Sequence, residues 1–582
     1  MAQNQSLSGR WSRWMNRLHA RRAAFAAPAA GFVSQPEPRT IGRVAKGRQL
    51  CAGNFLFAGH MVAAPDASIW DLETSDRAFQ EELHGFTWLD DLAATGDAPA
   101  RRRAQDWTSE WIERFGAGSG PGWTPDSAGR RLIRWINHAL FLLNAQDRDA
   151  SEGYYRSLGH QTIFLSRRWH TTEPGVPRFE ALTGLIYSGL ALIGMEDHVK
   201  PAIAALAKEC AEQIDVEGGI PSRNPEELLE VFTLLTWAAA ALSEAGQIPP
   251  RAHLEAIERI APTLRALRHA DGGLARFHGG GRGLEGRLDH ALASSGVRTP
   301  PGPGLAMGFA RLSAARTSLI MDVAAPPTGP SQRNSHASTL AFELTSGRRP
   351  MIVNCGSGTP FGTDWARAGR ATASHSVLEL EGYSSSRFGG KTMFGGSLSD
   401  VLVDIPKDVR MRETGDSGGV GLVAGHDGYG PTHGLTHVRA IDLSVDGRGI
   451  AGDDTVATVS DEDNRRFDEA MNRVTLQGLP FHLRFHLHPD VDAEIDMGGT
   501  AISLALKSGE IWIFRHDGAA KMALQPSVYL EKGRLKPRAT KQIVLSALAM
   551  EYATRIRWTL AKAQDTPSHV RDLERDDSEM MI

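Results

Sequence analysis

The run Phe481-His482-Leu483-Arg484-Phe485-His486-Leu487-His488 alternates apolar residues with cation-capable ones. In a strand this spacing puts the apolar set on one face and His482, Arg484, His486 and His488 on the other. Such a face is either an anion-binding wall or, more commonly for a half-buried strand, a polar face satisfied by its neighbours. Arg223, Arg265, Arg268, His269 and Arg276 add positive charge in predicted loops and helix ends, a distribution that suits an acidic polymer. For proton transfer near neutrality the chain offers His278, whose unperturbed pKa would be about 6.5. It also has seven tyrosines: Tyr154, Tyr155, Tyr187, Tyr383, Tyr429, Tyr529 and Tyr552. Trp88, Trp123, Trp135 and Trp169 could stack on sugars, although tryptophan at helical spacing more often belongs to a core.

Several familiar chemistries are excluded. Gly279-Gly-Gly-Arg-Gly lacks the Lys-Ser/Thr of a phosphate loop and follows no strand. His-Glu-x-x-His and Gly-x-Ser-x-Gly are absent. Gly452-Asp453-Asp454 lacks the spaced oxygens of a calcium loop and reads as a β-turn. With 64 Lys+Arg against 68 Asp+Glu, the net charge of −4 argues against a nucleic-acid partner. Cys51, Cys210 and Cys355 are too few and too scattered for a disulfide framework or thiolate cage. No apolar run is long enough for a transmembrane segment.

The elements that must position these groups fall into two halves. In the first, helix follows helix, at 128–145, 179–193, 202–214, 226–245 and 252–267, with apolar residues at three-and-four spacing and short Gly/Pro punctuation. Serial helices with short loops predict a bundle or an α/α toroid. After Thr299-Pro-Pro-Gly-Pro-Gly the pattern changes to short β-branched and aromatic runs between turns, which predicts an antiparallel β-sandwich. The predicted domains are a basic arm (1–48), a toroid (49–300), a sandwich (301–562) and a disordered tail (563–582). The arm places Trp11, Met15 and Leu18 at helical spacing among Arg10, Arg13, Arg17, Arg21 and Arg22. It reads as an amphipathic helix touching a membrane surface or another part of the protein, with a weak signal peptide as the alternative.

Asn334-Ser-His336 runs into a strand, Met351-Ile-Val-Asn354-Cys-Gly356 ends one, and Arg370-Ala-Thr-Ala-Ser-His375 follows. Gly425-His-Asp-Gly-Tyr429, His437-x-Arg439, Leu83-His84-Gly-Phe-x-Trp88 and Ser222-Arg-Asn224-Pro complete a set. In order and spacing this set resembles the heparinase II/III-like polysaccharide lyases. The resemblance implies an α/α toroid followed by a β-sandwich, and β-elimination on a uronic-acid polysaccharide in a groove between them. Elimination needs a neutralised carboxylate, a base for the C5 proton and an acid for the leaving oxygen. By position, Asn224 corresponds to the carboxylate-facing residue, although Asn224-Pro225 is equally a helix cap. Asn334 stands where the family has a catalytic histidine, and Phe277 where a tyrosine is expected.

The resemblance points to Asn224 and Asn334 for catalysis, His278 and Tyr429 are the proton-transfer groups the chain itself offers, and the cationic and aromatic residues Arg223, Arg268, Arg276, Trp88 and His269 are the candidates for substrate binding. The resemblance implies a structural divalent metal, zinc or calcium, on His336, Asn354 and His375. It also implies an acidic polysaccharide partner and a cell-envelope or periplasmic location, with the cytoplasm as the alternative. Two rival functions remain open. One is a catalytically weak glycan-binding protein of envelope or exopolysaccharide assembly. The other is an inverting glycoside hydrolase using Glu226 and Asp271 at a separation of about 6.5–9.5 Å.

Overall fold

The computed structural model describes residues 7–34, 37–394, 397–416 and 418–563. Residues 564–582, nearly all of the predicted tail, lie outside them. The first half is helical and the second is built on antiparallel sheets. Three helices, Pro125–Asn137, Val176–Ala191 and Pro225–Glu244, are buried on nearly every side and pack in sequence around a central lumen. Val176–Ala191 and Pro225–Glu244 are apolar on most sides, as a helix without a solvent face requires, whereas Pro125–Asn137 buries a polar face by pairing Arg130 with Glu180, Arg134 with Asp90 and Arg131 with Gln161. Arg148–Arg168, Val199–Gln213 and Arg251–Ala266 alternate with them and keep one exposed face. Side chains start the helices where the sequence punctuates them. Thr124 and Asn224 cap helices that carry Pro at their first position, and Asp147 accepts from the Ala150 amide.

The N-terminal helix Leu7–Ala23 lies against Arg148–Arg168, burying Ala20 and Ala23 while Arg168 donates to Asn16 (2.8 Å). The arm therefore touches another part of the protein, and Trp11 and Trp14 stack on each other at its exposed side.

The last helix of the first half ends at Ser295 and the first sandwich strand starts at Phe309, so the Pro/Gly stretch joins them. One sheet has the strand order 409–416, 419–429, 435–444, 449–457, 553–562, 511–516, 501–506, 491–496. The other runs 521–529, 538–549, 479–487, 349–353, 342–346, 317–322, 309–314, with 378–380 also pairing to 479–487. Phe342, Phe485, Phe514 and Trp558 fill the space between the sheets. The alternating strand behaves as a satisfied polar face. His482 bonds Ser546, Arg484 pairs with Glu379, His486 bonds Ser527 and the Ala373 carbonyl, and His488 lies by Asp490. Burial pushes His486 down to about 3, so it is neutral and forms no anion-binding wall.

Candidate functional site

Two elements from the helical half and three from the sandwich meet at the seam. Arg223-Asn224 precedes the helix Pro225–Glu244, and Phe277-His278-Gly279-Gly280 is a loop. The strand Thr317–Asp322 ends there, as do the segments that carry Asn334–His336 and His375. Arg223 and His278 are both left-handed (φ 50° and 47°), which turns their side chains toward the sandwich.

Arg223 clamps the halves together. It pairs with the buried Asp322 (2.5 Å), donates to the Met307, Gly308 and Ala325 carbonyls, and lies 4.6 Å over the Phe309 ring. Burial alone would raise the Asp322 pKa. The Arg223 charge and the His278 hydrogen bond more than offset this and hold the carboxyl below its ordinary range. Ser338 Oγ donates to the other carboxylate oxygen (2.7 Å).

His278 sits 3.4 Å from Asp322 through Nε2, and its Nδ1 accepts from the His336 amide (3.2 Å). A backbone N–H can only donate, so Nδ1 carries the lone pair and Nε2 the proton that faces Asp322, and Arg223 Nη1, 3.3 Å from Nε2, is then a neighbour and not a hydrogen-bond donor to it. Burial lowers its pKa despite Asp322. His375 Nδ1 donates to the Ala371 carbonyl (2.8 Å), which leaves its Nε2 to accept from His336 Nδ1 (3.0 Å). Burial brings His375 down to about 4, and burial with the neighbouring imidazoles puts His336 well below its ordinary value. The trio is a neutral, ordered relay. Of its six ring nitrogens only His336 Nε2 has no hydrogen-bond partner among the described residues.

Asn224 joins this network from the helical side, but as a cap. Its Oδ1 accepts from the Glu226 and Glu227 amides (3.0 and 3.3 Å), and its Nδ2 donates to Glu227 and to the His278 carbonyl (both 3.2 Å). The residue is 2% exposed, so no amide face is left for a carboxylate. Asn334 is exposed and rests against Gly279, at the lip of the buried cluster.

The structure thus brings Asn224, His278, Asn334, His336 and His375 into one neighbourhood, and it corrects several assignments. Tyr429 is not at the cleft. Its ring is fully buried in the sandwich, its hydroxyl donates to the Leu378 carbonyl (2.9 Å), and burial drives its pKa far up. Trp88 is core, with its indole N–H on the Leu83 carbonyl, so it offers no sugar face. Phe277 is buried against Phe309. Among the expected substrate cations, Arg223 is consumed by the clamp. Arg276 pairs with Glu343 and covers Tyr529, and His269 lies between Ser318 and Glu343. Arg268 reaches solvent but pairs with Asp289. Of the hydrolase candidates, Glu226 binds Lys532 and the Gly281 amide, while Asp271 takes the Gly273 amide.

The donors expected to hold a metal are already engaged. Asn354 Oδ1 accepts from the Ser376 amide (3.0 Å), and its buried Nδ2 has no partner among the described residues. Among the described residues no three His, Cys, Asp or Glu side chains converge. Two imidazoles bonded to each other and one committed amide oxygen do not fit a closed tetrahedral zinc site, and they fall far short of calcium's oxygen shell. Sequence reasoning missed Asp322 and Glu343 as partners. Each pairs with a residue 67 or more positions away, which no local spacing encodes.

These features belong to a polysaccharide-lyase scaffold. Residues 297–559 match the family described as heparinase II/III-like, C-terminal. Over 545 residues the chain is 30% identical to FtsZ-localized protein C of Caulobacter vibrioides (strain NA1000 / CB15N), covering 92% of this chain and 91% of that protein. Among solved structures, heparinase III superposes with a TM-score of 0.66 at 12% identity, covering 94% of this chain and 89% of the other. A mutant of heparan sulfate lyase HepC from Pedobacter heparinus gives 0.57 at 14% identity, covering 96% and 90%. The chain belongs to the heparinase II/III-like family, and its fold is the family's helical toroid plus β-sandwich.

Proposed function

We propose that the protein holds an acidic glycan at this scaffold without cleaving it by β-elimination. The observation that carries this reading is the state of the seam. The position expected to bear a tyrosine hydroxyl is the buried Phe277, the Asn224 amide is spent on a helix cap, and His278 has no free lone pair. A base must present a lone pair within hydrogen-bond reach of the substrate, and an acid a proton. Neither is offered by the residues assigned to catalysis, Asn224, His278, Tyr429 and Asn334. The proposed partner remains an acidic polysaccharide, in keeping with the lyase family. The place of action proposed is the cell envelope, as for the family, or the cytoplasm as the alternative; the name of the Caulobacter relative supports a location with FtsZ.

Purified protein incubated with heparin, heparan sulfate, alginate and bacterial exopolysaccharides tests both halves of the proposal. Binding without the ultraviolet absorbance of an unsaturated uronate is expected. His336 Nε2 favours a second reading, a residual base. On that reading product forms and disappears in His336→Gln.

A further inference from the structure

The helical domain carries a half-open cavity of about 400 Å³, lined only by residues between Arg39 and Ala291. It contains none of the seam residues and none from the sandwich, so a ligand held there is independent of the proposed function. Its size falls in the range of small-molecule sites.

Most of its charges are already matched. Arg130 makes a two-pronged contact with Glu180, Arg134 pairs with Asp90, Arg287 with Glu230, and Arg39 with Glu244. Two cations, Arg43 and Lys46, are not, and neither are two carboxylates of the same lining, Asp91 and Glu82. The side chains of Arg43 and Lys46 have no ion pair or hydrogen bond among the described residues. The nearby carboxylates are partly occupied by main chain: Asp91 Oδ1 accepts from the Arg43 amide (2.7 Å), and Glu82 Oε2 from the Ala58 amide (2.9 Å).

The backbone is built to hold the two cations there. A Cβ on Gly42 would lie 1.9 Å from the Asp90 carbonyl oxygen, and one on Gly47 2.3 Å from that of Asp91. Only glycine lets the segment Gly42–Gly47 press directly on the helix Trp88–Thr95, which sets Arg43 and Lys46 over the lumen. Burial and the Arg43 charge lower the Lys46 pKa, and the opposing pull of Asp91 and Glu82 does not make up for them. The ammonium therefore gains from an added anion.

We propose that this lumen binds a phosphate monoester carried on a body of monosaccharide size, with the phosphate between Arg43 and Lys46 and the body in the space toward Trp237. A guanidinium fork beside an ammonium matches a dianion with several acceptor oxygens. A phosphate monoester carries about −1.5 to −2 charges near neutrality and can draw on both cations at once in competition with Asp91 and Glu82, whereas a carboxylate draws on one. Elsewhere the lining holds the paired Arg130–Glu180 and Arg287–Glu230 groups and part of the largely buried Trp237, which offer hydrogen bonds and an apolar edge to a sugar ring.

Isothermal titration calorimetry of the full chain, with glucose 6-phosphate, inorganic phosphate, glucose and glucuronate as probes, tests the proposal. Saturable one-to-one binding of glucose 6-phosphate is expected, tighter than inorganic phosphate or glucuronate, with no binding of glucose. Lys46→Met and Arg43→Gln should each weaken binding on the order of tenfold or more. Lys46→Arg should retain it. All three should keep the wild-type circular dichroism, because neither native side chain has a hydrogen-bonded protein partner to lose. The proposal is overturned by absence of binding for both phosphate probes. It is equally overturned by affinities unchanged in Lys46→Met and Arg43→Gln, or by glucose binding as tightly as its phosphate.

Discussion

Replacing Asp322 with asparagine removes the one negative charge in the clamp between the halves. Asp322 is fully buried and 2.5 Å from Arg223, whose own side chain is 11% exposed. Removing one partner of a buried pair costs about 3–5 kcal/mol, because the surviving charge is left without compensation. Here Arg223 keeps its bonds to the Met307, Gly308 and Ala325 carbonyls, and an amide oxygen can still accept from Ser338. We therefore expect the low end, about 3 kcal/mol. With an unfolding entropy of about 2.1 cal/mol/K per residue, this lowers the melting midpoint by about 2.5 °C if the chain unfolds as one unit, and by roughly twice that if the sandwich melts alone. Scanning calorimetry of Asp322→Asn against wild type measures it. Ser338→Ala, which removes one hydrogen bond but no charge, should cost only about 1 kcal/mol. A midpoint unchanged in Asp322→Asn, or equal losses in the two variants, would refute the clamp.

The imidazole relay makes the fold acid-labile. A histidine with its folded pKa lowered to about 4 is neutral in both states above its unfolded value of about 6.5, and the unfolded chain gains the proton first as pH falls. Stability from His375 is therefore complete above about pH 6.5 and lost progressively down to about pH 4, with a loss of about 2 kcal/mol at pH 5. Urea unfolding at pH 7.5 and 5.0 should show His375→Gln less pH-dependent than wild type by that amount, and parallel curves would contradict it. Asn224→Ala should cost about 1 kcal/mol as a lost helix cap and Asn224→Ser should restore most of it, read by the same unfolding curves. In the sandwich core, Asp454 is held near 2 against the raising effect of burial by Arg439 and His437. Arg439→Met should cost about 3 kcal/mol or more by thermal melting, since it leaves that buried carboxylate with only His437 and Trp558.

The architecture was legible because its signals are local and repeated. Apolar spacing marks Pro225–Glu244, the Asn224-Pro225 pair marks its start, and two-residue alternation marks Leu479–Leu487. The site was legible only as a neighbourhood. The motif residues Asn224, His278, Asn334, His336 and His375 do meet, but whether a polar atom is free depends on partners that sequence spacing does not reveal. Asn224 is ambiguous between cap and ligand until its oxygen is placed on two amides. Tyr429 looked available because a phenol in a Gly-rich turn gives no sign of burial. Arg223 and Arg276 read as substrate cations because Asp322 and Glu343 stand far away in the chain. The same holds for the polar strand, where Glu379, Ser527 and Ser546 satisfy groups that the alternation alone presents as a cationic wall.

The most direct test of a lyase scaffold without elimination chemistry is one titration followed by two signals. Uronate-containing polymers are added to the purified protein while binding is read by calorimetry and ultraviolet absorbance by spectrophotometry, in the band of the conjugated product that elimination must create. Heat from at least one acidic glycan is expected, with a flat absorbance trace over hours at high protein concentration. A rising trace that depends on wild-type protein would overturn the absence of elimination chemistry, and silence in the calorimeter across the whole panel would overturn the glycan-holding role.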